Sequence, residues 1–98
     1  KNIYYLTLII QRFNLLKNII FKAKKKNIEI AINELKPPIF WKDKPNCIQQ
    51  SKIWNEKKIK KILNKIYFLE IQLKTNSTLN KNLLMKNLIV DICELANS

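Results

Sequence analysis

Apolar residues recur every three or four positions between residues 56 and 75, the spacing that places side chains on one face of an α-helix. The stripe consists of Ile59, Ile62, Ile66, Leu69 and Leu73, and Leu63 widens it. Lysines occupy the flanks and the back of the same segment. This pattern is typical of helices packed in a bundle, so we predict a core-facing helix from Glu56 to Thr75.

Three residues of this predicted helix depart from the simple pattern. Phe68 and Ile71 point away from the apolar stripe, and an outward apolar pair indicates a second packing surface, which we predict to be a subunit interface. Glu70 lies within the stripe, where an unpaired carboxylate would be costly. Lys74, four residues further on, is its expected partner.

The segment from Ile3 to Phe21 is mostly apolar, but Arg12 and Lys17 interrupt it and make a transmembrane helix too costly. A polar stripe of Thr7, Gln11, Asn14, Asn18 and Lys22 instead predicts a soluble helix, apolar on most sides. With about 24 residues it would be roughly 36 Å long, more than a small globule needs. Two interpretations stay open: a central core helix, or a helix whose outer face contacts a partner. The candidates for that outer face are Tyr4, Tyr5 and Leu8.

Prolines and asparagines mark the ends of the intervening helices. Asn27 is a suitable N-cap for a short helix from Ile28 to Leu35, and Asn55 is one for the helix starting at Glu56. Pro37 and Pro38 predict a corner, because proline cannot continue a helix and restricts the residue before it. We expect the third helix to run from Pro38, a favourable first helical residue, to Ile53, with a kink at Pro45.

A last apolar segment follows a predicted loop from Thr75 to Thr78. We expect Asp91 and Glu94 to face water on this final helix, where two carboxylates without a third ligand make a poor cation site. Its predicted buried stripe is Met85, Leu88, Ile89, Ile92, Leu95 and Ala96. The whole chain, residues 1–98, therefore predicts a single all-α domain, a compact bundle of about five helices.

The strong positive charge of the chain raises the question of whether it binds nucleic acid. The formal net charge is +12, carried by eighteen lysines and the single Arg12. A strongly basic domain attracts nucleic acid by counterion release. An equally good explanation is codon bias, since lysine, asparagine and isoleucine, all abundant here, have AT-rich codons. With one arginine, any contact with DNA should be independent of base sequence.

The sequence lacks residue types on which many catalytic sites depend. Glycine and histidine are absent, which excludes glycine-rich phosphate loops and the commonest general base. Cys47 and Cys93 are too far apart in sequence to form a zinc motif, and we interpret both as reduced, packed thiols. We therefore expect a domain that is not an enzyme and needs no cofactor, metal or small-molecule substrate.

The run PPIFWKDK at residues 37–44, followed by a helix ending at Trp54, resembles the C-terminal domain of the bacterial DNA polymerase III delta subunit. The resemblance continues through Glu70, Leu73, Lys74 and Thr75 and a closing helix from Leu79 to Ala96, so that it covers roughly residues 10–96. It implies the helical collar domain of a clamp loader, which joins the collars of gamma or tau and delta-prime subunits during DNA replication in the cytoplasm. Since residue 1 is a lysine, we expect the chain to be the excised C-terminal domain of a larger subunit.

The resemblance also implies that DNA passes close to the collar. The candidate DNA-proximal residues are Phe40, Trp41, Lys42 and Lys44, because aromatic rings and lysines can stack on and neutralise a strand. The alternative is that Phe40 and Trp41 fill the corner beneath the prolines. For the whole chain, the alternative function is an autonomous lysine-rich helical module that binds nucleic acid without sequence specificity.

Overall fold

The computed structural model describes residues 2–36, 38–75 and 80–98 of the chain. Within these ranges the secondary structure is entirely helical, as the periodicity predicts. The helices are α1 (Asn2–Ala23), α2 (Ile28–Asn33), α3 (Lys44–Ile53), α4 (Glu56–Thr75) and α5 (Lys81–Ala96). Pro37, residues 76–78 of the predicted loop, and Leu79, the expected first residue of the closing helix, lie outside the described ranges.

Asparagine side chains cap three of the helices. The Asn27 Oδ1 accepts the N–H of Ile30 at 2.8 Å, at the start of α2. The Asn55 Oδ1 accepts the N–H of Lys58 at 2.8 Å, at the start of α4. Each bond satisfies an N–H that the first helical turn leaves without a partner. Both predicted caps are confirmed, and Asn80 caps α5 in the same way.

The third helix is shorter than the sequence predicts. Residues 38–40 are not helical, residues 41–43 form a turn, and α3 begins only at Lys44. Pro45 therefore lies in the first turn of α3, where its missing N–H costs nothing. A helix running through Pro45 from Pro38 would lose a hydrogen bond and clash with a carbonyl one turn earlier. The predicted start at Pro38 and the kink at Pro45 are both wrong.

The core lies where α1 meets the other helices. α1 contacts α2, α3, α4 and α5, so it occupies the centre of the bundle. The predicted stripe of α4 is buried throughout, with Ile62 and Ile66 wholly inaccessible to water. Phe13 of α1 packs edge-on against Trp54, with ring centroids 4.8 Å apart. The remaining fully buried aliphatic side chains include Leu6, Leu16, Ile19, Ile32 and Ile59.

Ion pairs and one hydrogen bond between helices show the relative directions of α1, α4 and α5. Lys24, just after α1, contacts Glu56, the first residue of α4, at 2.8 Å, so these two helices are antiparallel. Lys65 of α4 contacts Asp91 of α5 at 3.4 Å, and the Lys58 Nζ donates to the backbone oxygen of Ser98, so α4 and α5 are antiparallel as well. The N-terminal turns of α1 and α5 and the C-terminal turn of α4 consequently share one end of the bundle.

The closing helix differs from its predicted pattern at two positions. Ile89, assigned to the buried stripe, is half exposed, and Cys93, expected to be packed, is exposed. Met85 and Leu88 are buried as predicted, while Ile92, Leu95 and Ala96 are only partly covered. α5 lies at the edge of the bundle, where its neighbours cover a narrower face than the apolar stripe provides. Both assignments, for Ile89 and Cys93, are therefore wrong.

Candidate interaction surfaces

Exposed apolar side chains occur on each of the three helices that meet at one end of the bundle, towards the start of α1, the end of α4 and the start of α5. Phe68 has 63% of its surface exposed, and Ile71 is exposed to a similar degree. Glu70 between them is paired with Lys74 at 3.8 Å, as the sequence predicts. We call this set the apolar end; it consists of Tyr4, Tyr5, Leu8, Phe68, Ile71 and Leu83, all exposed.

Leu83 is the member of the apolar end that sequence reasoning missed. It stands in the first turn of α5 and belongs to no apolar stripe, so the sequence alone has no signal that marks it. Its position follows from the antiparallel packing of α4 and α5. The five other members are the two residues of α4 that the sequence predicts to face outward and the three candidates for an outer face of α1, and the structure exposes all five.

The bundle is more extended than a self-contained domain of its size. Its accessible surface is 6996 Å², against roughly 5,900 Å² expected for a folded monomer of 11.7 kDa. Its radius of gyration is 14.7 Å, against about 13 Å for a compact domain of this length. The extents of 47 × 28 × 19 Å describe a flat, long body. Such a shape leaves apolar surface that a partner can cover.

The predicted DNA-proximal residues lie around the turn before α3. Phe40 and Trp41 are both largely exposed, with ring centroids 6.0 Å apart, so the alternative that they fill the corner is wrong. Ile39 is the residue that packs against the core there. The Lys42 Nζ lies 5.3 Å from the centre of the Trp41 ring. Lys44 is half buried and donates to the Asn33 Oδ1 at 3.1 Å, so its charge is already partly engaged.

A polar cluster that the sequence did not reveal joins α1 to the start of α3. The Arg12 Nη2 donates to the Asp43 Oδ2 at 2.7 Å, and its Nη1 donates to the Cys47 Sγ at 2.9 Å. Because the Asp43 side chain is held by Arg12, it does not cap α3, although its backbone carbonyl accepts the Cys47 N–H. The signal available in the sequence was the single arginine, Arg12, within an apolar helix.

Burial and the neighbouring groups together set the pKa values in this cluster. Burial is the largest influence on Arg12 and opposes its charge, but the hydrogen bond to Asp43 and the electrostatic attraction of the neighbouring groups together outweigh it, so the pKa of the guanidinium is raised above its ordinary value. For the Cys47 thiol burial is also the largest influence, and there it raises the pKa. A protonated, fully inaccessible sulfur is a poor nucleophile. The cluster therefore anchors α3 on α1 and offers no reactive group to a substrate.

The raised pKa of Cys47 predicts a loss of stability in mild alkali. The native chain holds the thiol proton more tightly than the unfolded chain, whose cysteines titrate near pH 8.5, at about their ordinary pKa. This contribution is fully present below about pH 8.5 and is lost as the pH rises towards the pKa of the folded protein. Urea unfolding at a series of pH values should show a decline that Cys47→Ala removes.

Cys93→Ala is the matched control for that experiment, because the Cys93 side chain is exposed. The pH dependence should survive this change. If wild type and Cys47→Ala instead declined in parallel with pH, the buried thiol would not be the group responsible.

Two further features bear on the kind of site available. Across residues 2–36, 38–75 and 80–98, no three cysteine, aspartate or glutamate side chains come together in a way that could hold a metal ion. Asp91, one of the two carboxylates considered on α5, is engaged by Lys65. No helix in these same ranges combines the length and the apolar character needed to cross a membrane.

Comparison with protein-family models, with curated proteins and with solved structures gave no match to this chain.

Proposed function

We propose that this chain is an assembly domain that packs through its apolar end against a neighbouring helical domain. The observation that carries the proposal is that six exposed apolar side chains of α1, α4 and α5 lie towards the same end of an extended bundle. Exposed apolar groups of this size are characteristic of surfaces that a partner protein covers. Aromatic residues such as Phe68 are also frequent anchors in protein interfaces.

The specific assembly we propose is the collar of a DNA polymerase III clamp loader. The resemblance of roughly residues 10–96 to the delta subunit supports this, together with an all-helical fold of the kind that a collar requires. The partners would then be the collar domains of gamma or tau and delta-prime type subunits, acting in cytoplasmic DNA replication. In this role the domain holds subunits together and carries out no chemistry of its own.

Replacing Phe68 by alanine tests the assembly proposal. Since the side chain is exposed, the free energy of unfolding of the isolated chain should change by no more than about 0.5 kcal/mol. Binding to a gamma or tau type subunit, measured by titration calorimetry, should weaken by about 2 kcal/mol, which is roughly 30-fold in Kd. A second variant, Leu83→Ala, should also weaken binding.

Phe40→Ala is the matched control, because Phe40 is 62% exposed but lies outside the apolar end. Its binding to the subunit should equal that of the wild type. Undiminished binding by the double variant Phe68→Ala/Leu83→Ala would refute the assembly surface. Wild-type chain that binds neither gamma or tau nor delta-prime type subunits would refute the clamp-loader assignment.

The autonomous nucleic-acid module is the second candidate, and the distribution of lysines favours it. The α1–α4 antiparallel packing brings the lysines at the end of α1 beside those at the start of α4, at the end opposite the apolar end. A module of this kind would work without a partner subunit. It would leave the apolar end unexplained, so the assembly domain accounts for more of the structure.

A further inference from the structure

A groove runs between the second half of α1 and residues 56–67 of α4. It has a volume of about 590 Å³, and its walls carry Phe21 and Tyr67. A smaller groove of about 330 Å³ opens beside it at the end of α1. Phe21 and Lys24 line both grooves, so the two grooves adjoin, and together we call them the basic groove.

The basic groove concentrates positive charge. Two glutamates, Glu34 and Glu56, also line it, and each is already paired with a lysine, at 2.6 and 2.8 Å. In the described part of the chain, the remaining lysines of the groove make no ion pair. The six lysines that line it are Lys17, Lys22, Lys24, Lys25, Lys26 and Lys60.

Flat apolar rings accompany this charge. Phe21 is 67% exposed although it stands on the central helix, and Tyr67 is 43% exposed. The Lys24 Nζ lies 5.7 Å from the centre of the Phe21 ring. An aromatic face and an ammonium group are therefore neighbours on the same wall of the groove. Three amide side chains, which can both donate and accept hydrogen bonds, complete the lining: Asn14, Asn18 and Asn64.

Codon bias can account for the number of lysines and asparagines, but not for where the fold places them. Phe21 and Tyr67 are 46 residues apart in sequence, and Lys17 and Lys60 are 43 apart. They line the same groove because α1 and α4 pack antiparallel. The combination of exposed rings, unpaired ammonium groups and amides on a concave surface is therefore a property of the tertiary structure.

This combination fits one partner better than the alternatives. A single-stranded nucleic acid offers bases that stack on aromatic faces and phosphates that lysines neutralise. An acidic protein would use the lysines but has no need of the exposed ring faces. A lipid surface meets a convex apolar face more readily than a groove lined with three amides, whose hydrogen bonds with water it would break. Duplex DNA keeps its bases stacked within the helix and unavailable to the rings.

We propose that the basic groove binds single-stranded nucleic acid without base-sequence specificity. Bases stack on Phe21 and Tyr67, and the backbone follows Lys17 and Lys60 along the groove. The asparagine amides supply hydrogen bonds to any base edge that faces them. None of the six residues of the apolar end lines this groove, so the site stands independently of the proposed assembly function.

The test is binding of the 98-residue chain to fluorescent oligothymidylate and oligouridylate of about 12 nucleotides, within the range of site sizes known for single-strand binders. Fluorescence anisotropy is measured over a series of salt concentrations. Phe21→Leu, which keeps apolar bulk but removes the stacking face, should weaken binding about tenfold. Phe21→Trp should retain wild-type affinity. Equal affinity for the two oligonucleotides would show that the sugar is not read, and a difference would identify the preferred strand.

The charge contribution is tested with a pair of double variants of equal net charge. Lys17→Ala/Lys60→Ala should lower the slope of log affinity against log salt by about 1.4, since each phosphate contact on a single strand contributes roughly 0.7. Lys81→Ala/Lys86→Ala removes the same charge from α5, outside the groove, and should leave that slope unchanged. Far-UV circular dichroism checks that every variant keeps its helices.

Several results would overturn the proposal. Equal weakening by the two double variants would show attraction to the net charge alone. Wild-type affinity in Phe21→Leu and in a second variant, Tyr67→Leu, would remove the stacking platform. Tighter binding of poly-glutamate than of oligothymidylate would assign the groove to an acidic protein. Loss of affinity in Trp41→Ala instead would move the nucleic-acid surface to the turn before α3.

Discussion

Replacing Trp54 by alanine should destabilise the chain by about 3 to 5 kcal/mol, the range measured for large aromatic residues removed from protein cores. Trp54 is only 7% exposed, and its ring packs edge-on against Phe13 of the central helix. It also ends α3, with its backbone N–H donating to the Gln50 carbonyl at 2.9 Å. The variant loses both apolar burial and the contact that joins α3 to α1.

Trp41→Ala provides the matched control, because the second tryptophan is 68% exposed. Its free energy of unfolding should remain within about 0.5 kcal/mol of the wild type. Chemical denaturation followed by circular dichroism at 222 nm, a wavelength that reports helix, measures both variants without relying on tryptophan fluorescence. Equal losses from the two substitutions would contradict the packing described for these residues.

Ile66→Ala should cost about 2 to 5 kcal/mol, and Ile62→Ala a similar amount. Both side chains are fully buried in the middle of α4, between neighbouring helices that cannot move far enough to fill the space left by the missing atoms. The cost therefore includes the lost burial of the side chain and the cavity that remains. Denaturant melts of the purified variants give the free energies directly.

Ile71→Ala, on the same helix, is the matched control for Ile66→Ala. The residue type and the change are identical, but the Ile71 side chain is largely exposed. This variant should lose no more than about 0.5 kcal/mol. A loss below about 1 kcal/mol for Ile66→Ala, or a loss for Ile71→Ala that matched it, would mean that a different face of α4 is buried.

The two ends of the bundle have different chemical characters, and this difference organises the functional proposals. One end presents exposed apolar side chains, among them Phe68 in the second half of α4. The other presents the basic groove, with Phe21 among its lysines. None of the six residues of the apolar end lines the basic groove, although Phe68 directly follows Tyr67 in α4. A partner subunit and a nucleic-acid strand could therefore occupy the same molecule together.

Local sequence determined the helices and several of their ends. The α4 stripe is set by spacings of three and four residues, and a cap such as Asn27 or Asn55 bonds to an N–H only three residues away. Interactions within one helical turn do not depend on the rest of the fold, so they can be predicted from the sequence without knowledge of the tertiary structure. The exposure of Phe68 and Ile71 was predictable for the same reason, since their direction follows from that of the stripe.

The tertiary structure alone decided which faces are covered and which distant residues meet. Ile89 and Cys93 are exposed because α5 lies at the edge of the bundle, which no pattern within α5 reports. Arg12 and Asp43 are 31 residues apart, and they meet because α3 begins beside α1. Phe21 and Tyr67 share a groove because two helices pack antiparallel. The period of a helix specifies the direction of each side chain, but burial and contact depend on where the neighbouring helices lie.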